Sequence, residues 1–358
     1  MPLPQISIEF KSTAISAIQR GSRGVVALIL VDPTVGGFYR MTSVADIPTN
    51  VSAANKKQIE LAFVGGVNPP QSVVAFFLPS TVYDAETDTH DFTIALNYLE
   101  GVKFDYLAVP DITENDTIDS WVKSQRQNGK KIKAVLPNVD ADHEGIINFT
   151  TDSIVVGDTT YTTAEFCSRI AGLLAGTPLQ VSATFQVLPD VDDVPKVTKA
   201  DLDNRIDNGE FVIYNDGEKV KVARAVNSLQ TTTADKGEDW KKIKIVDILD
   251  LVYTDIRKTA EDSYIGKYAN SYDNKVLLIS AINGYLKLLE ADGVLDANQN
   301  VVGINIVKQE AYLKSIGVDT TGMNEQDIKE ANTKDKVFLE GTIKPLDAIE
   351  DINLDFLI

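Results

Sequence analysis

VVALILV, residues 25–31, is a continuous apolar run that stops abruptly at Asp32-Pro33. It is far shorter than the ~20 apolar residues that cross a bilayer. It also lacks the alternation of a strand with one wet face. The reading that fits is a strand buried on both faces.

Outward from this run, apolar strands alternate with helical patterns. KKQIELAFVGG (56–66) reads as a helix ended by glycine, and Val73–Leu78 as the next strand. Asp91–Leu99 places Phe92, Ala95, Leu96 and Leu99 on one helical face. Phe104–Val109 is a strand stopped by Pro110. Thr113–Gln127 is a helix with the stripe Thr117, Ile118, Trp121 and Val122, closed by Gly129, and Ile132–Leu136 is a strand stopped by Pro137. The alternation predicts an α/β fold, a mostly parallel sheet with flanking helices, in a first lobe spanning 21–190.

The segment IINFTTDSIVVGDTTYT suggests a hairpin turning at Thr151-Asp152. A helix follows over Thr163–Leu174, capped by Thr162 or Thr163 and ended by Gly176. The acidic, proline-containing stretch PDVDDVPKVTKADLDN marks a lobe boundary near residue 190. A second, α+β lobe is expected over 191–345. Asn215-Asp216-Gly217 there signals a hairpin. Ile245, Ile248, Leu249, Val252 and Ile256 share one helical face, and another helix runs over Asn274–Glu290.

Two short amphipathic strands flank these lobes, in arms expected over 1–20 and 346–358. In one, Ile6, Ile8 and Phe10 alternate with Gln5, Ser7 and Glu9. In the other, Ile352, Leu354, Phe356 and Ile358 alternate with Asp351, Asn353 and Asp355. About 20 extended residues reach up to ~66 Å and a dozen up to ~40 Å. A body of this size is only ~50 Å across. Each strand can therefore pair in its own sheet or cross to a neighbour's, and the pattern leaves both open.

Composition narrows the chemistry. The 358 residues are 44% apolar and 24% charged, which argues against disorder across the whole chain. A net charge of −18 disfavours nucleic acid and anionic membrane surfaces. MPLPQISIEFKST has no signal-peptide pattern, so synthesis in the cytosol is expected. One cysteine, Cys167, and two histidines, His90 and His143, are too few for a zinc site of four cysteines, or of two cysteines and two histidines. No phosphate loop, G-x-G-x-x-G or G-x-S-x-G occurs, and no cofactor is expected. Asp140, Asp142, Glu144 and Gly145 mimic half a calcium loop, but position twelve is Thr151 where a bidentate Glu is required. They read as a polar loop, and Cys167 as a small buried side chain. Lys241, Lys242 and Lys244 form a basic cluster that reads as a solvated helix end or a dock for an acidic protein surface.

An ordered series of segments carries a family likeness. It includes GSRGVVALIL, YLAVPD (106–111), VLPN (135–138), GIINFTT (145–151) and YTTAEFCSRIAGLLAGTPLQVSAT (161–184). It continues through GEFVIYNDGEKVKVARAVNSLQT (209–231) and WKKIKIVDILDLVYTDIRKTAEDSYIGKYANSYDNKVLLISAINGYL (240–286). Across nearly its whole length the chain resembles the tail sheath proteins of contractile phage tails and phage-tail-like bacteriocins, of the short Gram-positive type.

The resemblance implies a non-enzymatic subunit of a virion tail or tail-like particle. Such subunits stack as hexameric rings in a helical lattice around an inner tail tube protein, between baseplate and tail terminator proteins. They contract to drive the tube through a cell envelope. Their arms complete a sheet in the neighbouring subunit. By this resemblance Ile6, Ile8, Phe10, Ile352, Leu354, Phe356 and Ile358 are the arm strands, Gly21 and Gly24 the arm hinge, and Lys241, Lys242 and Lys244 the tube-facing set. The alternative is an α/β enzyme or small-molecule binding protein that uses the switch-point crevice of the first lobe.

Overall fold

The computed structural model describes residues 17–21, 23–84, 86, 89–110 and 115–357. Ile6, Ile8, Phe10 and Ile358 lie outside the described residues. Two compact units emerge. The larger takes the described residues of 21–254 and 346–357, and the smaller takes 17–20 and 255–345.

Seven strands form the main sheet of the larger unit: β1 (Val25–Val31), β2 (Gly37–Met41), β3 (Ser72–Leu78), β4 (Tyr106–Ala108), β5 (Lys133–Pro137), β6 (Ile146–Phe149) and β7 (Glu210–Phe211). Their order is β7-β6-β5-β4-β1-β3-β2. All neighbours are parallel except β2, which runs antiparallel to β3 along one edge.

The continuous apolar strands follow from burial on both faces. Val25, Ala27 and Ile29 of β1 point to the layer of α2 (Thr93–Leu99) and α3 (Asn115–Gln127). Val26, Leu28 and Leu30 point to the layer of α1 (Ala53–Val64) and α4 (Thr163–Ala175). Side chains two apart share a face, so every position in such a strand must be apolar.

The helix α4 is fixed by its N-terminal cap and by one close crossing. Thr162 Oγ1 accepts the Glu165 N–H, and the Glu165 carboxylate accepts the Thr162 N–H at 2.8 Å, completing a capping box. Gly172 is where α4 touches α1: a Cβ there would lie 2.0 Å from the Ala62 carbonyl oxygen.

Three expectations change. The hairpin turns at Gly157-Asp158 and pairs Ile154–Val156 with Thr159–Tyr161; Thr151-Asp152 is not its turn. Ile146–Phe149 instead enters the main sheet as β6, because both of its faces are buried. The expected boundary near 190 is not where the units divide. β7 joins the first sheet beside β6, and the division falls between Thr254 and Asp255, inside α6 (Ile243–Thr259). The larger unit also holds α5 (Lys199–Asp207) and the hairpin Ile213–Asn215/Val220–Val222, whose loop carries Gly217 at φ +103°.

The smaller unit is built on α7 (Tyr272–Ala291). An antiparallel ribbon of β8 (Val301–Ile304) and β9 (Leu339–Thr342) flanks α8 (Ile306–Ser315) and α9 (Glu325–Glu330) in the chain. Ile282, Tyr285, Leu286 and Leu289 of α7 are buried, and the Tyr285 hydroxyl donates to Asp255 at 2.8 Å.

Candidate assembly interface

Residues 346–357 return to the larger unit without forming a strand. Their first half is bound by charge. The Lys242 ammonium pairs with Asp347. Glu350 is held on three sides. Its Oε1 accepts from Ser182 Oγ at 2.9 Å and Thr184 Oγ1 at 2.6 Å, and its Oε2 accepts from Arg224 Nε at 3.0 Å. The second guanidinium nitrogen of Arg224 donates to Asp351. These two carboxylates, Asp351 and then Glu350, hold the Arg224 guanidinium above its ordinary value.

Beyond Asp351 the segment changes character. Ile352, Leu354, Phe356 and Leu357 are between 69% and 102% exposed. Water has access to an alternating apolar face that a strand would normally cover. Single exposed apolar residues are ordinary, but this sequential series is not.

Among the described residues, the smaller unit has one ribbon edge with no strand beside it. Val302 of β8 turns its N–H and carbonyl to the Asn283 side chain, at 2.7 and 3.0 Å. That side of the ribbon is capped. Val302 is opposite Gly341 and Ile304 is opposite Leu339, while Asn305 N donates to the Phe338 carbonyl. By the alternation of an antiparallel ladder, Leu339 and Gly341 of β9 turn their backbone groups outward. Among the described residues no strand lies on that side of β9.

The remaining predicted residues sit as follows. Lys241 is partly exposed and pairs with Glu238, and Lys242 is taken by Asp347. Lys244 is only 6% exposed, and burial lowers its ammonium's affinity for protons. Its burial withdraws it from an outward-facing set. Gly21 lies where the chain passes between the two units. Gly24 is no hinge. Its N–H donates to Asp105 at 2.7 Å, its carbonyl accepts from Gln71 N at 2.7 Å, and it holds φ +98°. A Cβ there would lie 3.1 Å from the Ala175 carbonyl, so glycine is required by a tight, fixed turn.

A buried ionic network went unforeseen in the sequence. Asp247 and Asp250 project from α6. Asp247 accepts from Tyr106 Oη at 2.9 Å and pairs with Lys133 at 2.9 Å and with Arg23. Asp250 pairs with Lys133 and takes both terminal nitrogens of Arg126. Arg126 also faces Glu144 at 3.4 Å, and Lys236 closes on Glu144 at 2.9 Å. Burial alone would raise the Asp250 carboxyl, but Lys133 and Arg126 outweigh it and hold the group below its usual range. The only sequence signal was a lysine opening an otherwise apolar strand.

The calcium-like loop is part of this packing. Asp142 Oδ1 accepts the N–H groups of Gln230 and Thr231 at 2.6 and 2.8 Å, and Asp140 accepts from the Gln230 amide at 2.9 Å. Gly145 leaves room for Arg126: a Cβ there would lie 2.3 Å from Arg126 Cδ. Burial pushes His143 down to about 4, and its Nδ1 accepts the Gly145 N–H at 2.9 Å. It is neutral and committed. Cys167 is fully buried, donates to the Thr163 carbonyl, and burial pushes its thiol up.

The switch point that the alternative reading would use lies at the ends of β1 and β4, where the sheet order reverses. Its acid, Asp32, is spent on loop closure. It accepts from Thr34 N, Val35 N, Ser52 N and Asn55 Nδ2 at 2.9–3.0 Å. Burial would raise this carboxyl, but these donors, led by Asn55, hold it well below the usual range.

The described residues thus present a doubly covered sheet, an anchored segment with an uncovered apolar face, and a ribbon edge with no described strand beside it. The comparisons identify the kind of protein. A family model described as phage tail sheath protein central domain matches residues 85–228, and one for the phage tail sheath C-terminal domain matches residues 235–358. The chain is 40% identical over 357 residues to the tail sheath protein of Clostridium phage phiCD119, covering 98% of both chains. Its fold matches the helical sheath of the anti-feeding prophage in its contracted state, with a TM-score of 0.71 at 17% identity, over 100% of this chain and 99% of that one. It also matches the sheath tail protein of Desulfitobacterium hafniense, with a TM-score of 0.70 at 20% identity, over 84% of this chain and 93% of that one. The chain belongs to the phage tail sheath protein family. It is a contractile tail sheath subunit.

Proposed function

We propose that this subunit polymerises as stacked hexameric rings around an inner tail tube, and that the lattice contracts to drive the tube through a target envelope. The role is mechanical and uses no cofactor. Its partners are further copies of itself, the tube protein, and baseplate and tail terminator proteins. The particle is a phage tail or a tail-like bacteriocin.

One observation carries the assembly reading: the uncovered apolar series Ile352, Leu354 and Phe356 just beyond the anchored Glu350. A strand added to a sheet edge satisfies its backbone groups and buries one face. The acceptor in this reading is the outward edge of β9 in a second copy. Donor and acceptor surfaces differ, so the contact runs head to tail and propagates. Ile6, Ile8 and Phe10 are assigned the matching role at the other arm, and Gly21 the passage between arm and body. The half-exposed Lys241 and Lys242 remain the tube-facing candidates.

The test is deletion of residues 352–358 with negative-stain electron microscopy of purified protein. Striated tubes from the full chain and dispersed particles from the deletion are expected. Tubes of equal length from both would sink the strand-exchange reading.

A further inference from the structure

The segment that carries the exposed apolar series is not loosely tethered. Glu350 occupies a pocket with three donors from two separate stretches, Ser182 and Thr184 on one side and Arg224 on the other. Its side chain is only 10% exposed. The pocket is itself braced. Thr184 Oγ1 also accepts the Ala225 N–H at 3.0 Å, and the Ser182 and Thr184 hydroxyls are 3.0 Å apart. Asp347 on Lys242 lies three residues before Glu350, and Asp351 on Arg224 one residue after. The two flanking pairs are more exposed than Glu350, so the carboxylate in the pocket is the strong point.

We infer that the Ser182–Thr184–Arg224 pocket is the anchor of the exchanged strand, the point where tension between neighbouring subunits enters the subunit body. The inference rests on the strand-exchange reading above. It adds a location and a chemistry for the load. From Asp351 to Leu357 the extended chain reaches only about 20 Å. With Glu350 seated, the exchanged strand can meet a neighbour's edge only within that radius. With Glu350 released, only the more exposed Asp347–Lys242 and Asp351–Arg224 pairs still hold the segment; once they open, the reach grows by the whole run from Leu346 and the register between subunits loosens. The anchor thus sets which neighbour, and which register, the strand can take.

The experiment uses the full chain with Glu350→Ala and Glu350→Gln, the charge swap Arg224→Glu/Glu350→Arg, and the 352–358 deletion. Chymotrypsin is applied first to unassembled protein. Cleavage at Leu354 and Phe356 should be equally fast in the full-length chains, an internal control. Cleavage after Leu346 should be slow in the unaltered chain and faster by about tenfold or more in Glu350→Ala, the factor that ~1.4 kcal/mol represents. Tubes from Glu350→Ala should be shorter and fall apart at lower salt, with the charge swap restoring part of the loss. Equal cleavage at Leu346 overturns the anchor. So do Glu350→Ala tubes with unchanged length and salt resistance, and strand exchange then stands without it. If the 352–358 deletion itself forms normal tubes, the exchange reading fails instead.

Discussion

Arg126 donates both terminal guanidinium nitrogens to the Asp250 carboxylate, at 2.9 and 3.0 Å, and the pair is almost wholly shut off from water. Buried pairs of this kind add little net stability as a whole, but breaking one strands the other charge. Asp250→Ala should therefore cost up to ~3–5 kcal/mol, because it leaves buried Arg126 with only the longer Glu144 contact and Lys133 with only Asp247 as carboxylate partners. Asp250→Asn, which keeps the shape and an acceptor, should cost less. Thermal or urea unfolding of the unassembled chain measures both. Near-equal stability for Asp250→Ala and the unaltered chain would refute the role given to the network.

The same cluster predicts an acid limb. His143 is held neutral, its value lowered from about 6.5 to about 4 by burial. Its contribution is complete above the unfolded value and is lost as pH falls from about 6.5 toward 4. Burial would raise Glu144, but His143, Lys236 and Arg126 hold it down at about 2, so its contribution is lost below about 4.5. The melting temperature should decline from pH 6.5 downward and steepen below 4.5. His143→Gln should flatten the upper part of that decline.

Gly172→Ala places a methyl on the Ala62 carbonyl at the α1–α4 crossing. The helices cannot give way without disturbing the sheet beneath them. A loss of ~1–3 kcal/mol or more is expected, against the gain that Gly→Ala normally brings to a helix. A melting curve at or above that of the unaltered chain would show that the crossing relaxes.

Cys167 should be inert in the native state. It is fully buried, and its thiol is pushed up by that burial. A thiol-reactive dye should label it at the rate of unfolding, with full reaction in denaturant. Rapid labelling of the folded chain would contradict the packing of α4.

The sheet was legible because its strands are continuous apolar runs with proline or aspartate stops, and β1 is Val25–Val31 as read. Capping chemistry gave α4 to within a residue. Glu210–Phe211 was not recoverable as part of the first sheet, since two residues carry no period and their place depends on a partner far away in the chain. Proximity of Thr151-Asp152 to β-rich runs suggested a turn that Gly157 makes instead. The apolar half of the assembly segment was visible as an alternation. Its anchor was not, because Glu350 is one acid among many and its three donors come from residues 182–224. Lys244 looked like its neighbours Lys241 and Lys242, and only packing distinguishes it.

The larger unit is discontinuous: it is closed by residues 346–351, which leave the ribosome only after the entire smaller unit. A chain interrupted anywhere before residue 350 leaves the Ser182–Thr184–Arg224 pocket without Glu350 and lacks the apolar series Ile352, Leu354 and Phe356. If the proposed strand exchange holds, interrupted products lack both the apolar series and the carboxylate that secures it, and a growing polymer should take them up poorly.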